Sequence, residues 1–171
     1  MPLQAGTTKT VVITDTNILI NFIHIGQVAM IGGLPAYRFQ LPMEVLEELI
    51  DPEQKANIEA AIAAGSIDLL SVDNLDALAL FGDLRELMGR GEAACLAVAA
   101  TSGCYLASDE KKRFRRKAIE LIGEKRILRT ENLLVEGIRC GRITIAQADG
   151  YKQVLAENRY VLPFVSFAEY L

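Results

Sequence analysis

The sequence predicts an α/β fold, a three-layer α/β/α sandwich around a mostly parallel sheet of about five strands. Three observations carry this. Short β-branched or apolar runs alternate with helical stretches along the chain. Glycine or proline stands at most of the changeovers. Two of the apolar runs end in an aspartate, as strands feeding one functional sheet edge do. No linker, repeat or low-complexity segment interrupts the pattern. The expectation is a single domain over residues 1–171, with a C-terminal helix and tail from about 141 packing on it.

Lys9–Thr14 reads as a buried strand, because Thr10, Val11, Val12 and Ile13 are β-branched and the run is short. Thr16 or Asn17 can cap the following helix, which reaches Ile25. Gly26, Gly32, Gly33 and Pro35 mark a loop or a short broken helix. Tyr37–Leu41 is a second strand, and Pro42 suits the first turn of a helix over Met43–Ile50. Asp51-Pro52 ends that helix, and another runs over Glu53–Ala64 to Gly65. Ile67–Val72 is a third strand, and Asp73 can cap a helix to Met88. Gly89-Arg90-Gly91 breaks it. Glu92 then opens an alanine-rich helix to about Ala100, with Gly103 as its C-terminal stop. Cys104–Ala107 is a fourth strand, followed by Ser108-Asp109-Glu110 and a basic helix to Ile122. Arg126–Arg129 is a fifth strand, and Asn132–Arg139 and Ile145–Asn158 are helical around Gly141. The tail, Tyr160–Leu171, is apolar and aromatic and is expected to cover the domain.

Composition narrows the class. Of the 171 residues 51% are apolar, enough for a sizeable core, yet no apolar run is long enough to span a membrane. The first nine residues lack the apolar centre of a secretion signal, so a cytoplasmic location is expected. Cys95, Cys104 and Cys140 form no C-x-x-C pair, which speaks for free thiols over a zinc site. The net charge of −4 is uneven, because residues 111–117 carry six cations. An acidic body with one basic strip suits a metal-binding cleft beside a phosphate-gripping edge.

The acids set the chemistry. In a parallel sheet the strand C-termini share one edge, so Asp15 and Asp109 are expected there together. Each of them could instead merely cap the next helix. On the helix from Met43, Glu44 falls opposite the apolar face and is expected to be solvated. Glu47 and Glu48 flank the apolar stripe on opposite sides, and periodicity does not choose between them. Glu92 shares a face with Leu96 and Ala99, so its carboxylate turns inward and wants a cation or a donor. Its alternative is a favourable place at a helix N-terminus. On the basic helix, Arg113, Arg115 and Arg116 are the candidate phosphate clamps, against a plain solvated face. The single histidine, His24, lies in an apolar helix and reads as structural.

Taken in order, Asp15-Thr16-Asn17 after a β-run, Val45-x-x-Glu48-Leu49, Gly91-Glu92 before an Ala-rich helix, and Leu106-Ala107-Ser108-Asp109-Glu110 with Arg115-Arg116 downstream resemble a PIN domain. This is the fold of VapC-type toxin ribonucleases, and the likeness spans roughly residues 10–130. The resemblance implies a metal-dependent endoribonuclease using Mg²⁺ or Mn²⁺. It implies Asp15, Glu48, Glu92 and Asp109 as catalytic acids, with Asp15, Glu92 and Asp109 on the metal. It selects Glu48 over Glu47, because the family acid directly precedes the leucine. It gives Asn17, Ser108 and Glu110 supporting places, Glu110 sharing or taking the role of Asp109. The partners implied are an RNA substrate, an antitoxin protein and a second copy of the chain. The alternative is a PIN-like module that binds RNA or protein without cutting. An aspartate-based phosphotransferase ranks lower, because Asn17 breaks the D-x-D pattern such sites use.

Overall fold

A computed structural model describes residues 8–171. Five strands form one all-parallel sheet: β1 (Thr10–Thr14), β2 (Tyr37–Pro42), β3 (Asp68–Leu70), β4 (Tyr105–Ala107) and β5 (Ile127–Leu128), in the order β3-β2-β1-β4-β5. Parallel neighbours need crossovers, and the helical stretches supply them. Central β1 is buried at Val12 and Ile13 and pairs with β2 on one side and β4 on the other. The chain order reverses across β1 and β4, so the crevice beyond their C-terminal ends is where such a fold places a site.

Nine helices lie among the described residues: α1 (Thr16–His24), α2 (Val28–Gly32), α3 (Met43–Glu48), α4 (Pro52–Ala63), α5 (Leu75–Arg85), α6 (Arg90–Ser102), α7 (Lys112–Ile122), α8 (Thr130–Arg139) and α9 (Ile145–Glu157). They pack in two groups. α6 touches α3, α5 and α7, while α1 touches α2, α4, α8 and α9. The sheet between them completes three layers. α6 is buried along its length from Ala93 to Ala99, and its alanines let the backbone lie close against the sheet. Gly103, at φ 69°, ends it in the left-handed conformation that glycine takes without strain.

The boundaries differ from expectation for identifiable reasons. Asp15, not Thr16 or Asn17, caps α1 through its side chain. Asn74, not Asp73, caps α5 by accepting from Asp76 and Ala77. α3 stops at Glu48, because Leu49 is already extended at ψ 111°. α6 begins at Arg90, two residues before Glu92, so Gly91 is a helical residue and no breaker. β1, β3, β4 and β5 are one to three residues shorter than expected, whereas β2 runs one residue further, through Pro42. From the tail, Tyr160, Leu162 and Phe167 are buried, and Asp149 of α9 accepts from the Phe167 N–H and the Ser166 hydroxyl. Among the described residues no helix is long and apolar enough to cross a membrane. The reading of the N-terminus as leaderless rests mostly on residues 1–7, outside the described residues.

Candidate active site

Register builds the floor of the site. Thr14 of β1 pairs with Ala107 of β4, so the next residues, Asp15 and Ser108, emerge side by side at the sheet edge. The Ser108 hydroxyl donates to Asp15 Oδ2, and the Ile18 N–H donates to Oδ1 at 3.2 Å. Both alternatives for Asp15 therefore hold at once: it caps α1 and also faces the edge crevice. It is 4% exposed. Burial pushes its carboxyl up to about 7, against the two hydrogen bonds, and the charges of Asp109 and Glu110 add to the rise.

Three glutamates complete the wall of a cavity of about 390 Å³ above Asp15. Glu48, the last residue of α3, accepts from the Gly91 N–H at 2.8 Å. That approach needs glycine, because a Cβ there would stand 3.2 Å from the Glu48 Cδ and 3.3 Å from a Val45 methyl. Glu92, in the first turn of α6, accepts from the Gly89 N–H at 3.1 Å and lines the same cavity. Glu110 lines it too, held by the Asn17 side-chain amide. Burial, followed by the charge of Glu92, raises the Glu110 carboxyl above its ordinary range. Glu47 turns to Arg90 at 2.6 Å in a half-exposed ion pair, outside this cavity.

Asp109 is placed elsewhere. It is 6% exposed and does not line the cavity. Its Oδ1 accepts from the Thr130 N–H at 2.9 Å and the Tyr160 hydroxyl at 2.7 Å. Its Oδ2 accepts from the Thr130 hydroxyl at 2.5 Å and the Asn21 amide at 2.9 Å. A carboxylate with four donors is well satisfied as an anion and has little left for a metal. Asp109, expected beside Asp15 and Glu92, borders the neighbouring cavity instead, and Glu110 is the residue that lines the cavity with them. Nor does Asp109 cap the next helix, whose N-cap is Lys111. Glu44 also departs from expectation. It is only half-exposed, and its Oε2 is buried with no hydrogen-bond partner.

The clamp on Asp109 was not foreseen. Asn21 carried the one available signal, a polar residue inside the run Ile18–Phe22, and it is 7% exposed. Thr130 and Tyr160 gave none, since both lie far off in sequence. The Tyr160 hydroxyl also lies 2.5 Å from Glu131 Oε2, and burial, then the Asp109 charge, pushes this phenol far above its usual range. On α7, Arg113 and Arg116 are exposed, whereas Arg115 pairs with Glu124 at 2.7 Å.

All four cavity acids present oxygen, the donor that Mg²⁺ and Mn²⁺ prefer. Among the described residues, no three histidine, cysteine or acidic side chains close into a ready metal cage. Mg²⁺ does not require one, because it keeps several waters and takes one or two carboxylates together with substrate phosphate. Four acids around one cavity, Asp15 nearly dry among them, fit such a cation. A family model described as a PIN domain matches residues 11–147. No curated protein matches the chain.

Proposed function

The chain belongs to the PIN-domain family, a nuclease fold, and from that membership we propose that it is a metal-dependent endoribonuclease hydrolysing RNA phosphodiester bonds. The observation that carries the reading is the meeting of Asp15, Glu48, Glu92 and Glu110 around one cavity at the sheet edge. These four hold Mg²⁺ or Mn²⁺, directly or through water. When bound, the cation supplies positive charge for the scissile phosphate and a more acidic water. Ser108 orients Asp15, and Asn17 orients Glu110. Glu110, its carboxyl raised, is suited to take a proton from the attacking water. Asp109, anchored by Thr130, Asn21 and Tyr160, acts one residue away by holding Glu110 in place. The exposed Arg113 and Arg116 grip flanking phosphates. Arg115, already paired, contributes less.

In this reading the protein is the toxin of a toxin–antitoxin pair, able to form a homodimer and acting in the cytoplasm, where its three free cysteines stay reduced. A small gene beside its own, encoding a protein that co-purifies with it, is the expected finding for the antitoxin. For the chemistry, purified protein with Mn²⁺ should cut RNA, and Asp15→Asn and Glu110→Gln should each abolish cutting. Undiminished activity in both would refute it. The second reading, a module that binds without cutting, draws on the open spacing of the acids. Calorimetry showing no Mn²⁺ binding at millimolar concentration would favour it.

A further inference from the structure

A second cavity, of about 320 Å³, adjoins the acidic one. Asn17 and Glu110 line both, so their hydrogen bond is the partition. Beyond it the character changes. Lys111 and Arg159 stand at this chamber, and neither forms an ion pair among the described residues. Asp109 borders it, but with four donors its charge is already compensated. Ile20 and the His24 imidazole supply an aliphatic surface and a flat ring. No hydrogen bond fixes that ring through Nδ1, which is buried and unpartnered.

Arg159 is conspicuous for its backbone. It follows α9 at φ 67°, with its N–H on the Ala156 carbonyl and the Tyr160 N–H on the Leu155 carbonyl. This is the helix-terminating turn whose left-handed position favours glycine. Among the described residues only Lys112 and Arg159 are left-handed without being glycine, and both are basic and beside this chamber or its neighbour Lys111. A side chain kept at a conformational cost invites a functional explanation. Arg159 and Tyr160 also lie beyond residue 147, outside the stretch the family model matches.

We propose that this chamber is a nucleotide subsite, taking the base and ribose next to the phosphate held at the acidic cleft, with Lys111 and Arg159 on that nucleotide's own phosphate. The inference rests on the nuclease reading of the adjoining cleft. The volume lies at the small end of the range for ligand pockets, which suits one nucleotide. The arrangement also answers an electrostatic problem. Four carboxylates alone repel a polyanion, and unpaired cations one partition away give the strand a foothold.

His24 is the only histidine, so its imidazole Cε1–H gives one unambiguous NMR signal. Metal-free protein in chelator would be titrated with adenosine and uridine 5′-monophosphates, the matching nucleosides, and inorganic phosphate. A saturable shift is expected with a monophosphate, at a midpoint about tenfold or more below those of nucleoside and phosphate. Arg159→Gly should weaken this binding about tenfold or more while its Tm is unchanged or higher and its Mn²⁺ affinity is unaltered. No shift, an equal response to inorganic phosphate, or full binding by Arg159→Gly would overturn the proposal. Loss of RNA cleavage with nucleotide binding intact would overturn the nuclease reading alone. Cleavage without nucleotide binding would do the reverse.

Discussion

Replacing Asp15 by asparagine should stabilise the metal-free protein, and the gain should grow with pH. In the folded chain the Asp15 carboxyl is raised from 3.8 to about 7, chiefly by burial. Between those values the folded state holds a proton that the unfolded state has released. Stability therefore falls as pH rises from about 4 to about 7 and is level above that. Each unit is worth about 1.4 kcal/mol, so the penalty reaches about 4 kcal/mol at pH 8 and about 2 kcal/mol at pH 5. The amide removes this penalty. It keeps an acceptor for the Ile18 N–H but must re-pair with the Ser108 hydroxyl, at a cost of about 1–2 kcal/mol. The net gain is about 2 kcal/mol near pH 8, or a Tm higher by roughly 4–8 °C, and about zero near pH 5. Urea unfolding of both proteins in chelator at the two pH values measures it. Adding Mn²⁺ should raise the stability of the parent chain more than that of the variant. A variant less stable than its parent near pH 8, or a difference that ignores pH, would refute the reasoning.

Two further substitutions probe the supports of the site. Gly91→Ala gains about 1 kcal/mol of helix propensity but drives its Cβ against the Glu48 carboxylate. It should leave the Tm within a few degrees while lowering Mn²⁺-dependent cleavage about tenfold or more, as paired melting and activity assays will show. Tyr160→Phe removes the hydroxyl between Asp109 and Glu131 and should cost about 1–2 kcal/mol in urea unfolding. Its Mn²⁺ affinity by calorimetry should fall as well, because the segment carrying Glu110 loses one anchor.

Much of the fold was legible in the sequence because period and punctuation are local signals. Short β-branched or apolar runs gave the strands, and their alternation with helices gave the parallel sheet. Pro42, Gly103 and the alanine run gave places to start or stop helices. Asp15 and Glu92 were legible because each stands at a definite point of an element, a strand end and a helix start, whereas Glu48 was separated from Glu47 only by the family resemblance. Which cavity Asp109 and Glu110 each line was not legible, because it turns on long-range partners. Asp109 is drawn away by Asn21, Thr130 and Tyr160, which lie 88, 21 and 51 residues off. Glu44 misled because a helical wheel describes one helix alone, while the burial of its Oε2 depends on whatever else packs there.

The Asp109 clamp has a consequence for how the site is assembled. Its donors come from α1, from the start of α8 and from the segment after α9, so three distant parts of the chain converge on one carboxylate. Removing a single donor leaves the others in place, whereas removing the carboxylate leaves four donors facing each other with little access to water. Unsatisfied buried donors cost more than a lost bond. Within this cluster the acid is therefore the more damaging member to lose. The contrast with Asp15 is direct. Both are buried acids at the ends of neighbouring strands, but one is compensated by protein donors, and the other, lifted to about 7, remains short of positive charge. That difference, invisible in two aspartates that each follow an apolar strand, separates a carboxylate satisfied by four protein donors from one that burial leaves with two.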